Sequence, residues 1–308
     1  MRIFVTGGTG FVGAALLPAL RAKGHGVVLL RRPGEGGPPL PEAVEVVEGD
    51  PMRRGPWWDP LEGCDGAVNL AGAPVFQRWD ARAKVLIRES RLATTRNLVA
   101  CLPKDRPFAL VSASGIGIYG DAGEAELDET SPPGDDFLAR VAREWEEEAL
   151  RGERRGARVA LARLGIVLGP GGGALEPMVR ATRRFAGGPL GTGRQWTAWV
   201  HRDDAVRALL LLLEQASTRG PYNVCAPEPA RQADVARALG RVLHRPSLLP
   251  APAFALRALL GECAGVILAS QRARPVRLLE AGFTFRHPTL EESLRDILAP
   301  GPQRGAES

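Results

Sequence analysis

The sequence predicts an α/β protein built on a doubly wound parallel sheet, with a smaller C-terminal part. Three observations predict it. The chain opens with an apolar strand that runs into a glycine turn and then into a helix-forming segment. Apolar strand-like runs then alternate with long helical patterns, as a parallel sheet covered on both faces requires. After Gly169 the alternation gives way to segments punctuated by glycine and proline.

The first expected strand covers residues 2–6, and Thr6-Gly7-Gly8-Thr9-Gly10-Phe11-Val12-Gly13 follows it, ahead of a helix over 14–23. Gly7 allows the tight turn, Gly10 lets backbone approach a pyrophosphate, and Gly13 lets the helix pack close to the strand. Phe11 and Val12 supply or flank the N-terminal amides that would face the phosphates. The order strand, glycine turn, helix is that of a Rossmann-type dinucleotide site. The plainer alternative is a glycine-rich loop in another α/β domain.

The second strand, 26–31, ends in Arg31-Arg32. A site for NAD usually carries an acidic residue here, to accept hydrogen bonds from the ribose hydroxyls. Two guanidiniums suit a phosphate instead. The expected cofactor is therefore NADP(H), held at its 2′-phosphate by Arg31 and Arg32. A solvated basic loop running into Pro33 and Gly34 is the competing reading, and 33–41 reads as a surface loop. A third strand, 44–48, precedes Asp50, which reads equally as an adenine contact or as a turn residue before Pro51.

Further strands are expected at 66–70, 108–112, 158–163 and 222–224, and the longest helices at 80–101, 136–150 and 203–215. Residues 1–168, completed by about 200–225, form the expected NADP(H)-binding domain. Residues 169–199 and 226–300 form a smaller substrate-covering domain, and 301–308 a disordered tail. Glycines 187–193 with Gln195, Trp196 and Trp199 read as one wall of a substrate cleft, or as a join between the two domains. His201 could act near neutral pH, but Val200-His201-Arg202-Asp203-Asp204 reads first as a strand end feeding a helix, with a fixed histidine.

Several stretches resemble the extended short-chain dehydrogenases/reductases of the NAD-dependent epimerase/dehydratase type. Asn69-Leu70-Ala71-Gly72, Ser112-Ala113-Ser114 with Tyr119-Gly120, and Arg163 with Gly169-Pro170 carry that resemblance. Arg78-Trp79, Ser90-Arg91, Trp145-Glu146, the 187–196 segment, Trp199-Val200-His201 and the 282–288 ending are similar to an atypical branch, the "epimerase family protein" group with its C-terminal domain of unknown function. The resemblance covers nearly the whole chain and implies an extended Rossmann fold that binds NADP(H). It implies that Leu70, Ala71 and Gly72 line the ribose–nicotinamide path. It also implies that the backbone at Val167 touches the nicotinamide amide. Arg91 would reach a phosphate or the nicotinamide ribose, with a surface ion pair as its alternative.

The superfamily's catalytic pair is a tyrosine with a lysine four residues on, the lysine lowering the phenol pKa. This chain has two tyrosines; Gly123 follows Tyr119 at that spacing and Ala226 follows Tyr222. Phe137 and Val141 stand where the pair is expected. Ser114 remains as a hydroxyl that could bond a substrate carbonyl, or merely cap a turn before Gly115. Tyr119 is a nearby proton source, or a packed phenol bonded to backbone.

The net charge is +5, but the arginines are mixed with acids along the chain, so nucleic acid is not an expected partner. Cys64, Cys101, Cys225 and Cys263 are far apart and, like the four histidines, lack metal-ligand spacing. No metal is expected, and free thiols fit a reducing cytoplasm. The apolar run 208–213 is too short to span a bilayer, and the start of the chain enters the first strand with no room for a signal peptide. The leading expectation is an NADP(H)-dependent oxidoreductase acting on a small carbonyl or alcohol. A nucleotide-sugar epimerase or dehydratase and a non-catalytic NADPH sensor are the alternatives.

Overall fold

The computed structural model describes residues 1–34 and 36–299, so the expected tail at 301–308 lies outside the described residues. In chain order the principal elements begin with β1 (Arg2–Thr6), α1 (Gly13–Ala22), β2 (Gly26–Arg31), β3 (Val44–Glu48) and β4 (Gly66–Asn69). Next come α2 (Ala81–Ala100), β5 (Ala109–Gly115), α3 (Phe137–Leu150), β6 (Arg158–Leu164), α4 (Leu175–Arg183), α5 (Arg202–Glu214) and β7 (Gly220–Val224). The chain ends with α6 (Gln232–Leu243), α7 (Ala253–Leu260) and α8 (Leu290–Leu298).

The seven strands form one parallel sheet in the order β3-β2-β1-β4-β5-β6-β7. The order reverses between β1 and β4, and ligands of such sheets bind in the crevice outside the strand ends at that point. Both faces are buried. Ile3 and Val5 of β1 pack with Leu16, Leu17 and Leu20 of α1 and Leu209, Leu212 and Leu213 of α5. Phe4, on the other face, packs with Trp57, Leu61, Leu98 and Leu102. This explains why the strands read as continuous apolar runs.

α2 and α3 start at side-chain caps. Asp80 Oδ1 accepts from the Ala83 amide at 2.7 Å and Asp136 Oδ1 from the Ala139 amide at 2.8 Å, each satisfying an amide that the helix cannot. β5 runs three residues beyond the expected end at 112. β6 continues to pair with it, setting Ala113 opposite Ala162, Ser114 opposite Arg163 and Gly115 opposite Leu164. Ser114 therefore belongs to a strand and does not cap a turn.

The chain leaves the main sheet after Leu164 and re-enters at Gly220. Ile166–Leu168 pairs in parallel with Trp199–His201. α4, α6 and α8 share a separate core of Leu175, Val179, Val235, Leu239, Leu294 and Ile297, closed by Leu168 and Trp199. No described helix is long and apolar enough to cross a membrane.

Candidate functional site

The crevice begins at Gly7. Its φ is +69°, a conformation that disfavours any residue with a Cβ. A Cβ there would lie 2.6 Å from the Leu70 carbonyl carbon and 2.7 Å from the Ala71 nitrogen. Gly7 thus allows the β1 turn to lie directly against the backbone that leaves β4. At Gly13 a Cβ would come within 2.3 Å of the Gly7 oxygen. Gly10 donates to that oxygen at 3.1 Å. No side chain caps α1 at Val12. The Ala14 and Ala15 amides donate to the Gly10 and Val12 carbonyls at 2.8 and 3.1 Å, so the donors left for a phosphate are those ahead of them in the turn, at Phe11 and Val12.

Arg31 closes β2. Its Nη2 reaches Glu48 Oε1 at 3.4 Å, a long contact, and its Nε is buried without a partner. Arg32 follows on the surface. Asp50 accepts from the Met52 amide at 2.9 Å and lies 3.6 Å from Arg53, which is the turn role of its two readings. Past β4, the guanidinium of Arg91 lies against Gly72, where a Cβ would sit 3.0 Å from Cζ. Arg91 donates to the carbonyls of Ala73 and Ile87 at 3.1 and 2.9 Å and stacks over Trp145 at 5.2 Å. Burial lowers its pKa to about 10. Among the described residues no carboxylate pairs with it, so the surface ion pair is not what holds it.

Beneath Leu70, Asn69 is fully buried. It accepts from Thr6 at 2.7 Å and donates to Thr95 at 2.8 Å, and Thr95 in turn accepts from Trp145 at 2.8 Å. This network fixes the ends of β1 and β4 relative to α2 and α3.

A second buried network lies at the ends of β5, β6 and β7. Ser114 donates to Glu146 Oε1 at 2.7 Å. Arg163 grips the same carboxylate through Nε and Nη2, both at 2.8 Å. Its Nη1 donates to the Tyr119 hydroxyl at 2.8 Å, and that hydroxyl donates to Asn223 Oδ1 at 2.8 Å. Both capacities of the phenol are thus used. Burial pushes its pKa up to about 12, against the pull of Arg163, which is the wrong direction for an acid or base near neutral pH. The structure therefore places Ser114 and Tyr119 in one network but gives Tyr119 a structural role.

Phe137 stands at the head of α3, edge-on to Trp79 at 5.2 Å, with Lys84 5.5 Å from its ring. Val167 sits in the short strand opposite Val200. In the segment expected to wall the cleft, Gln195, Trp196 and Trp199 are engaged with other parts of the chain. Gln195 is buried and donates to the Leu190 and Ile267 carbonyls. Trp196 lies against Arg231 and Arg272 and donates to Glu124 at 2.9 Å, which joins two parts of the chain. Trp199 is 1% exposed, within the C-terminal core.

His201 caps α5, its Nδ1 accepting from the Asp203 amide at 3.1 Å. It stacks on His287 at 3.8 Å, with Asp296 Oδ2 3.2 Å from Nε2. Burial, then His287, lowers its pKa. These three side chains gather as metal ligands do. With Nδ1 accepting, however, Nε2 carries the ring proton and has no lone pair to offer.

Sequence reasoning missed Glu146, Arg163 and Asn69 as working residues. One signal for Glu146 was visible. It falls on the buried stripe of α3 with Ala142, Trp145 and Ala149, and a carboxylate on such a stripe needs a cation.

The comparisons agree with this geometry. The family model for the NAD dependent epimerase/dehydratase family matches residues 3–225. A second model, a domain of unknown function (DUF1731), matches 251–297. A chloroplastic epimerase family protein SDR39U1 homolog of Arabidopsis thaliana is 41% identical over 97% of this chain and 87% of its own. The epimerase family protein YfhF of Bacillus subtilis is 37% identical over 97% and 98%. A crystal structure of the human epimerase family protein SDR39U1 with NADPH superposes with a TM-score of 0.83 at 33% identity, over 96% of this chain and 99% of that one. A glycine turn at the β1–β4 switch point, a half-buried arginine beside it that no described carboxylate pairs with, and these matches lead to one conclusion: the chain belongs to the NAD dependent epimerase/dehydratase family.

Proposed function

We propose that the protein binds NADP(H) and acts as an oxidoreductase on a small carbonyl or alcohol in a reducing cytoplasm. The observation that carries the cofactor reading is the glycine turn after β1, where Gly7 lies so close to the Leu70 and Ala71 backbone that a Cβ has no room, followed by Arg31 where a site for NAD would carry an acid. The human relative solved with NADPH supports the same choice. The amides of the glycine turn would hold the diphosphate, Arg31 and Arg32 the 2′-phosphate, and Arg91 the nicotinamide ribose side. The nicotinamide supplies or accepts the hydride.

In this reading Ser114 meets the substrate oxygen. Its proton points to Glu146, so its free lone pairs accept a hydrogen bond from a substrate alcohol. When that alcohol is oxidised, its proton passes to Ser114 Oγ as the serine proton passes to Glu146. Reduction runs the same path in reverse, and Arg163 holds the carboxylate in line. Tyr119 is outside the path because both of its hydrogen bonds are spent.

A non-catalytic NADPH-binding role is the second reading. The absence of a Tyr-Lys pair and the engagement of Tyr119 favour it. Nucleotide-sugar epimerisation rests on family likeness alone. The deciding experiment follows nicotinamide absorbance when NADPH-loaded protein meets fractionated cell extract, with NADH and an R31A/R32A variant as controls. Oxidation that disappears in the S114A variant supports the enzyme. Tight NADPH binding without oxidation in any fraction supports the binding protein.

A further inference from the structure

The side chain of Phe11 leaves the glycine turn and enters a slot formed by residues 169–173. A Cβ would lie 3.1 Å from the ring at Gly169 and 3.0 Å at both Gly172 and Gly173, so those glycines make room for it. The same ring carries Arg202, whose guanidinium carbon is 5.1 Å from the centroid. Arg202 opens α5, which packs beside α1. Its side chain is therefore carried to the same end of the sheet as the amides of the glycine turn.

Arg202 is poorly satisfied. Its Nη1 donates to the Pro170 carbonyl at 3.3 Å, beyond the usual range. Its Nε is buried with no partner. No carboxylate among the described residues pairs with it. A partly buried guanidinium loses hydration without recovering it in an ion pair, and an arriving anion removes that cost. The aromatic ring beside it attracts the cation and holds it near the glycine turn.

We propose that Arg202 is a direct contact to the diphosphate of the bound dinucleotide, supplementing the amides of the glycine turn. This rests on the NADP(H) reading. The diphosphate is common to NADPH and NADH, so Arg202 adds affinity without choosing between them, in contrast to Arg31. Phe11 then serves two ends of one site: its backbone belongs to the phosphate turn and its ring positions the cation.

The test is R202M, which keeps an apolar stem over Phe11 and removes the charge and donors. R202Q, which keeps one amide donor, is the second variant. Nucleotide binding is titrated by nicotinamide fluorescence, with melting temperatures as the check on folding. The expected result is a weakening of about tenfold for NADPH and NADH alike in R202M, and a loss of the same kind in R202Q. Unchanged affinity in either folded variant overturns the assignment. Loss for NADPH alone also overturns it, since Arg202 would then serve the 2′-phosphate. If wild-type protein bound neither nucleotide, the cofactor reading would fall and this contact with it. Tight wild-type binding with unaffected variants removes Arg202 alone.

Discussion

Replacing Glu146 with glutamine tests the buried network at its centre. The carboxylate is 7% exposed and accepts three hydrogen bonds, from Ser114 at 2.7 Å and from Arg163 Nε and Nη2 at 2.8 Å. The amide has nearly the same shape but one acceptor oxygen, and its NH₂ faces a donor. Arg163, also 7% exposed, is left as an uncompensated buried cation. Breaking such a pair from one side costs about 3–5 kcal/mol. In a chain of this size that corresponds to a melting temperature lower by roughly 5–8 °C. NADPH affinity should stay within about twofold, because the glycine turn after β1 is built from other residues. An E146Q/R163M double variant removes both charges and should recover part of the loss, giving a coupling of about 1–3 kcal/mol in a double-mutant cycle. The assays are thermal denaturation and fluorescence titration on the same preparations. An E146Q protein that melts within 1 °C or so of wild type would refute the claim that this carboxylate balances Arg163.

Three further outcomes follow from the same geometry. R31A should weaken NADPH by about tenfold or more and leave NADH nearly unchanged, since a charge-assisted bond to the 2′-phosphate is lost; equal loss for both nucleotides in a titration would contradict the assignment. Y119F removes a donor to Asn223 and an acceptor for Arg163, so denaturant unfolding should show a loss of about 1–3 kcal/mol, while any NADPH oxidation persists. His201 has a pKa lowered by burial in the folded state, so the unfolded chain binds its proton first. Its contribution to stability is therefore constant above about pH 6.5 and falls as the pH drops below that value. H201N, which keeps a cap for α5, should flatten that part of the stability–pH curve relative to wild type.

Much of the fold was legible because the sheet is parallel and buried on both faces. Ile3-Phe4-Val5 and Val27-Val28-Leu29-Leu30 serve two cores at once, and only apolar residues can do so. The glycine turn was legible because Gly7, Gly10 and Gly13 are local in sequence and meet a local steric need. Ser114 was half legible: its position was found, but its membership of β5 depends on pairing with Arg163, which no local pattern records. Trp199 misled for a related reason. A tryptophan beside a glycine-rich segment suggests a cleft, but the contacts that bury it come from α4, α6 and α8, whereas His201 caps α5 as the fixed histidine that its place before Asp203 suggests. Arg202 is legible only once Phe11 and the 169–173 loop are seen together.

The departure from the superfamily's Tyr-Lys pair is an exchange of electrostatics as well as a missing motif. A lysine beside the phenol would hold the nicotinamide ribose and draw the phenol pKa down. Here the cation beside Tyr119 is Arg163, and it is bound in two directions, by two bonds to Glu146 and one to the phenol oxygen. Most of its charge is thus neutralised by the carboxylate, and desolvation dominates at the phenol. The same carboxylate takes the Ser114 proton. One arginine therefore silences the tyrosine and, through Glu146, turns the serine into an acceptor. Restoring a lysine at position 141 alone would not rebuild the ordinary site, because Phe137 has no hydroxyl to act on and Tyr119 remains held by Asn223 and Arg163. In the proposed reading catalysis passes through Ser114 and Glu146, with water as the alternative route, and the S114A and E146Q variants separate the two.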